Sequence, residues 1–358
     1  MTDSPYAQLA ARLNELPNGF PPAPDGAELR LLAKLFTPDE AALAAQLRLT
    51  LETPAELAAR LGGDPQDLRQ QLKRMISRGL IAAGRTPGGL GYGLLPFIVG
   101  IYEMQTGRVD AELARLFEDY YQQTYRQSLP QQPPTHRVIP IGESVKTDLE
   151  VRPFESAADI LRNAQAWGVT DCICRVQQAL IGHACQHPVD VCMIFSQTPG
   201  VFDQRLGVRA LTQAEALATL QRAADAGLVH SVSNNQRGLW YLCNCCTCAC
   251  GFLRGLSELG LANVIARSDF VCVVDEDLCA GCRDCVERCS FGALTVDTVA
   301  HINTTRCAGC GQCHIACTTS ALSLIRRPSA DQLTPPATED EWRLARAASR
   351  GLDLAAVR

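Results

Sequence analysis

The chain has 358 residues, 47% of them hydrophobic and 20% charged, enough for two or three domains with proper cores. Its net charge of -5 argues against general adhesion to nucleic acid or anionic membrane, and its longest apolar stretch, Leu94–Tyr102, is interrupted by Pro96 and Gly100 and falls far short of the roughly 20 residues of a membrane helix. Eighteen cysteines, behind a Met1–Ala10 segment with neither a basic start nor a long apolar run, lead us to expect a reducing cytoplasm and thiolate–metal ligation rather than disulfides.

Residues 27–93 read as a winged helix. Ala27–Leu49 is apolar enough for one helix, Thr53 and Pro54 form an N-cap and first helical position, and Gly62-Gly63 stops that second helix. Asp64-Pro65 starts a third, with Leu68, Leu72, Met75 and Ile76 on one face. Gly79 ends it, and the glycine-rich stretch Arg85–Tyr92 is the expected hairpin wing. The third helix carries Arg69, Lys73, Arg74 and Arg78, where a DNA reader would place its contacts. Over residues 1–130, however, acidic residues outnumber basic ones, so a protein-docking or structural use is favoured over DNA binding. Ile101–Tyr125 reads as an amphipathic helix burying Tyr102, Leu113, Leu116, Phe117, Tyr120 and Tyr121, and the proline-rich joint 130–134 marks a boundary.

The next segment holds Cys172, Cys174, Cys185 and Cys192, then Cys243, Cys245, Cys246, Cys248 and Cys250. Between the two groups, Thr212–Gly227 has the pattern of a helix and Leu228–His230 leads into a strand. Packing does not explain five cysteines in eight residues, because positions i, i+2, i+3, i+5 and i+7 put thiols on every side of a short loop. Metal ligation does: nine thiols suffice for one or two iron–sulfur clusters, with a structural zinc as the alternative. His183 and His187 flank Cys185 and are expected to cap a loop or hydrogen-bond a sulfur rather than ligate, and Arg175 to donate to cluster sulfide.

Further on, Cys279, Cys282, Cys285 and Cys289 recur 28 residues later as Cys307, Cys310, Cys313 and Cys317, so C-x2-C-x2-C-x3-C is written twice. Ala280-Gly281 and Ala293-Leu294 recur at the same offset, the mark of a duplication. Cysteines at three-residue steps crowd a single tetrahedral ion, which disfavours zinc and points to a [4Fe-4S] cluster for each run. Val271–Val274, Leu294–Val296 and Leu322–Ile325 read as short strands, with Cys272 as core. Residues 328–336 read as linker and Glu339–Val357 as a terminal helix.

The duplicated run resembles the bacterial two-cluster ferredoxins. That resemblance implies one cluster on Cys279, Cys282, Cys285 and Cys317 and the other on Cys307, Cys310, Cys313 and Cys289, the fourth cysteine of each run serving the opposite site. The wider chain resembles a family of cytosolic iron–sulfur proteins in which a winged helix precedes a cysteine-rich domain and a ferredoxin module. The residues that carry this are Leu95–Glu103, Asp171-Cys172-Ile173-Cys174-Arg175, Ala226–His230 and Cys243-Asn244-Cys245-Cys246. It implies an electron carrier for low-potential enzymes. The bacterial run normally ends in Cys-Pro, yet Ser290 and Thr318 stand here, and each adds an N–H and a hydroxyl that are expected to raise the cluster potentials.

The expected whole is an α+β multidomain protein: a winged-helix-like domain with a following helix (1–130), a cysteine-rich iron–sulfur α+β domain (136–268), a dicluster ferredoxin fold (269–326), and a linker with a C-terminal helix (327–358). Its expected role is electron transfer, as a carrier or oxidoreductase subunit with a protein redox partner. No phosphate-cradling glycine loop follows a strand, so no nucleotide or flavin domain of its own is expected. A redox-sensing DNA-binding regulator is the alternative, and an enzyme with an open metal position near 243–250 a third reading.

Overall fold

Prolines and capping side chains set most helix starts in this computed structural model, which describes residues 4–146, 149–205, 207–261 and 263–357. The first three residues of Met1–Ala10 lie outside the described residues. The chain is a mixed α/β protein of helices and several small sheets, and among the described residues no helix is long and apolar enough to cross a membrane. Two units are formed, one from residues 4–131 with 343–357 and one from 132–342.

In the first unit α1 (Pro5–Asn14) is capped by the Ser4 hydroxyl. The single helix expected over Ala27–Leu49 is in fact two, α2 (Ala27–Leu35) and α3 (Pro38–Ala44). Proline cannot continue a helix and holds the residue before it extended, and Thr37 instead opens a capping box: its hydroxyl accepts from Glu40 N–H at 3.3 Å while the Glu40 carboxylate accepts from Thr37 N–H at 2.9 Å. Thr53 caps α4 (Pro54–Leu61) and Asp64 caps α5 (Pro65–Ser77). Leu72 and Met75 of α5 are buried, Leu68 and Ile76 half-buried, and Arg69, Lys73 and Arg74 exposed. Arg78 is tied down, pairing with the Glu40 carboxylate and donating to the Leu35 carbonyl.

The antiparallel hairpin β1 (Ala82–Thr86) and β2 (Gly89–Gly93) follows. The helix expected from Ile101 begins only at Ala111, as α6 (Ala111–Gln123), because the Asp110 carboxylate accepts from Leu113 N–H at 2.8 Å and fixes the start there. Its aromatic face is core: Tyr102 stacks on Phe117 with centroids 3.9 Å apart, and Tyr120 packs 4.7 Å from Phe20. Leu116 is only half-buried.

The second unit contains β3 (His136–Val138), α7 (Ala157–Arg162), β4 (Ala166–Thr170), α8 (Ile173–Leu180), β5 (Cys192–Ser196), β6 (Arg209–Leu211), α9 (Gln213–Asp225), β7 (Val229–Ser233), β8 (Tyr241–Cys245) and α10 (Gly251–Leu259). The strands make one antiparallel sheet in the order β3-β7-β8-β5-β4-β6. Its core includes Leu161, Val169, Met193, Phe195, Val232 and Leu242. The register sets Thr170 opposite Cys192, Met193 opposite Leu242 and Ser231 opposite Cys243, so pairing between strands far apart in sequence gathers cysteines at one end of the sheet.

The same unit continues through β9 (Phe270–Val274), α11 (Asp284–Arg288), β10 (Leu294–Val296), β11 (Ala300–Ile302), α12 (Gln312–Ala316) and β12 (Leu322–Arg326). β9 pairs with β12 and β10 with β11, both antiparallel. The 28-residue offset carries Leu294 onto Leu322 and Cys272 onto Ala300, so the duplication extends to the strands. The last helix, α13 (Glu339–Ser349), is shorter than the Glu339–Val357 expected, stopping before the left-handed Gly351. From Arg343 on it belongs to the first unit, where Arg346 donates to the Pro17 carbonyl at 3.0 Å.

Candidate metal centres

The duplicated run builds two cavities. One is lined by Cys279, Cys282, Cys285 and Cys317 with Ala300, Val296 and Leu322; the other by Cys307, Cys310, Cys313 and Cys289 with Phe291, Leu294 and Leu324. Each therefore takes three thiols from one run and the fourth from the other run, because a short helix, α11 or α12, follows the second cysteine and carries the chain across before the fourth is reached. Their walls are thiol, apolar side chain and backbone.

Backbone N–H groups point at the sulfurs in matched pairs. Ala300 donates to Cys279 Sγ at 3.4 Å and Cys272, its counterpart, to Cys307 Sγ at 3.5 Å. Likewise Ala293 donates to Cys289 Sγ at 3.4 Å and Ala321 to Cys317 Sγ at 3.3 Å. The N–H groups that reach the sulfurs of the fourth cysteines come from four residues on, and not from Ser290 or Thr318, because the chain turns directly after each cysteine. A hydroxyl does reach Cys317, from Thr319 at 3.6 Å. Burial works against the Cys317 thiolate, yet this hydroxyl and the surrounding N–H groups lower its pKa. Burial raises Cys285 to about 11 and also raises Cys289, Cys307 and Cys310. Thiols so held give up their protons to a metal rather than to water.

One functional candidate escaped the sequence reading. Cys272, expected to be core, lines the second cavity with its Sγ 3.5 Å from Cys313 Sγ, a contact that raises the Cys313 pKa. The signal was present in the repeat, since Cys272 stands where the other half has Ala300.

The nine cysteines between 172 and 250 fall into two groups. Six close a ring of sulfur contacts that runs Cys172, Cys174, Cys250, Cys245, Cys243, Cys192 and back to Cys172. Two members across the ring are acceptors: donation from Cys174 and Cys192 holds Cys172 well below the ordinary thiol range, and donation from Cys243 and Cys250 lowers Cys245 to about 6. Hydrogen bonds to these acceptors push Cys174 and Cys192 up. The remaining three, Cys185, Cys246 and Cys248, lie with their sulfurs all within 4.8 Å of one another.

Several features suit the ring to an anionic centre. Cys172 is the N-cap of α8 and Cys250 that of α10, so two helix N-termini face the thiols with their partial positive charge. Arg175 is 2% exposed. Its Nη2 donates to the Asn244 carbonyl at 2.6 Å, while Nε and Nη1 have no acceptor among the described residues. Leaving such donors unmet costs about 1–3 kcal/mol each. Burial opposes the Arg175 charge, but the thiolates of Cys172, Cys246, Cys192 and Cys245 raise its pKa above the ordinary guanidinium range. A guanidinium with two spare donors among thiolates fits a sulfide-bearing cluster. Asn244, on the opposite strand face from Cys243 and Cys245, anchors the site through His230 Nδ1 at 2.5 Å and the Val191 carbonyl at 2.6 Å.

His183 is exposed, and the half-buried His187 hydrogen-bonds the backbone of Ala226; burial, and then the Arg175 charge, lowers the His187 pKa. No protein-family model matches the chain, and no curated protein or solved structure matches it.

Proposed function

We propose that the chain is a cytosolic electron-transfer protein carrying two [4Fe-4S] clusters in a ferredoxin-like module and a further iron–sulfur cluster on the six-thiol ring, serving as carrier or subunit for an oxidoreductase. The observation that supports this most directly is the pair of cavities, each walled by four cysteines drawn three and one from the two runs. Bound there, such clusters supply one-electron chemistry. The chain's own part is to hold the thiolates, to aim the N–H groups of Ala300, Cys272, Ala293 and Ala321 at sulfur, and to offset ring charge with Arg175. Anaerobically purified protein should contain at least about eight irons with matching sulfide, four for each [4Fe-4S] centre, and a further increment that Cys172→Ser removes. Iron and sulfide at background level would end this reading.

A second reading is supported by the order α4, α5 and the β1–β2 hairpin, which is that of a winged helix, and by exposed Arg69, Lys73 and Arg74 on α5. On it the protein is a redox-sensing regulator. A shift assay on its own upstream DNA separates the two: sequence-specific binding lost on cluster oxidation favours the regulator, and no binding at low salt discards it.

A further inference from the structure

The run Cys243-Asn244-Cys245-Cys246-Thr247-Cys248-Ala249-Cys250 changes parity in its middle. Along a strand, side chains two apart share a face, so Cys243 and Cys245 of β8 both enter the ring. Cys246 follows the end of the strand and is out of phase with them. From there the chain turns, Cys250 N–H donating to the Cys246 carbonyl at 3.1 Å and the Ser257 hydroxyl to the Thr247 carbonyl at 3.2 Å. Cys250 rejoins the ring, while the turn brings Cys248 against Cys246 and Cys185.

We propose that Cys185, Cys246 and Cys248 form a separate site for a single thiophilic divalent cation of the zinc class, bound by three thiolates with its fourth position open to solvent. This goes beyond the electron-transfer reading and stands whether or not the ring carries a cluster. Tetrahedral zinc with Zn–S near 2.3 Å sets its sulfurs about 3.8 Å apart, and the three sulfurs, all within 4.8 Å of one another, need only small side-chain adjustments to close on such an ion. Three thiols this close surround one point, whereas the six ring thiols pass contact from neighbour to neighbour around a circuit.

The site is half-open. Cys246 is 3% exposed and packs with Val191, Ala223 and Leu228, Cys185 lies partly buried against the same residues, and Cys248 is exposed. Among the described residues no fourth Cys, His, Asp or Glu ligand atom joins the group, which leaves a position for water or an incoming ligand. Three thiolates on a divalent ion carry one surplus negative charge, and the Arg175 guanidinium, whose charge interacts with Cys246 as well as with the ring, offsets it.

Cobalt(II) tests this on the full-length, anaerobically purified protein. One equivalent should bind with thiolate-to-cobalt charge-transfer absorption and the d–d intensity of a tetrahedral site, and zinc should displace it stoichiometrically. Cys248→Ser, at an exposed position, should weaken cobalt binding by more than about 100-fold, beyond the roughly 10–100-fold that loss of an outer partner costs, and leave iron and acid-labile sulfide unchanged; Cys185→Ser should do the same. Absence of the cobalt bands, their persistence in Cys248→Ser, or loss of iron and sulfide together in that variant would each overturn the separate site. Cys172→Ser separates this outcome from the cluster reading: unchanged iron there overturns the ring cluster alone, and the cobalt bands still decide the triad.

Discussion

Replacing Cys272 by alanine should lower the reduction potential of the centre held by Cys307, Cys310, Cys313 and Cys289 and leave that of its twin unchanged. The thiol sits 3.5 Å from Cys313 Sγ and is 3% exposed. Once Cys313 is a metal thiolate it accepts only, so Cys272 S–H is the donor, and that bond strengthens as the centre gains negative charge on reduction. A weak sulfur donor of this kind is worth about 0.5–1 kcal/mol in all, and only its gain on reduction counts, so with 59 mV per tenfold for one electron the expected fall is at most about 20–40 mV. Alanine keeps the N–H that reaches Cys307 Sγ, so only the side-chain contribution is lost. The other half supplies the converse, Ala300→Cys, which should raise the potential of the Cys279, Cys282, Cys285 and Cys317 centre by a similar amount. EPR-monitored redox titration of both variants, with iron content held at the wild-type value, is the measurement. An unchanged or raised potential in Cys272→Ala refutes the reasoning, and so does a loss of iron, which would make Cys272 a ligand.

On the first centre, Thr319→Val removes the hydroxyl 3.6 Å from Cys317 Sγ and should lower that potential by a few tens of millivolts, whereas Ser290→Pro and Thr318→Pro, which touch none of the donors found on Cys289 and Cys317, should shift neither potential in the same titration. His136 is 2% exposed against Phe252 and Tyr241, with no partner at either ring nitrogen among the described residues, and burial lowers its pKa to about 3. The folded pKa therefore lies below the unfolded value near 6.5, the unfolded state binds the extra proton between them, and stability is lost as pH falls, by about 1.4 kcal/mol from pH 7.5 to 5.5 for this group. His136→Phe should flatten the denaturant-midpoint profile over that range by this amount; an identical profile would show that His136 does not titrate differently on unfolding. Gly309 has φ +68°, and a Cβ there would lie 2.2 Å from the Phe270 carbonyl oxygen and 2.3 Å from Ser268 Oγ. Gly309→Ala should cost more than the roughly 1–2 kcal/mol of the left-handed conformation alone and release iron on mild heating, while its counterpart Gly281→Ala, 2.7 Å from the Thr298 carbonyl, should be milder; equal thermal midpoints would contradict this.

Local chemistry was legible in the sequence wherever one residue acts on its near neighbours. Thr53-Pro54 and Asp64-Pro65 begin α4 and α5 because a cap and a proline need only the next three residues to act. Pro38 carried the same message inside Ala27–Leu49, and Asp110 inside Ile101–Tyr125, but there apolar periodicity continued across the break and hid it. The 28-residue repeat was also readable, since duplicated chain folds to duplicated strands and cavities. What could not be read was how the nine cysteines between 172 and 250 divide. Cys172, Cys192 and Cys243 are separated by 20 and 51 residues and meet because β5 pairs with both β4 and β8, and Arg175 becomes their counter-charge only once the sheet has closed around it. Spacing along the chain determined that this protein concentrates its thiols in two fields. Strand register, acting through pairings that no local pattern encodes, decided which thiols face one another, and so drew six of them into a ring and left three at its side.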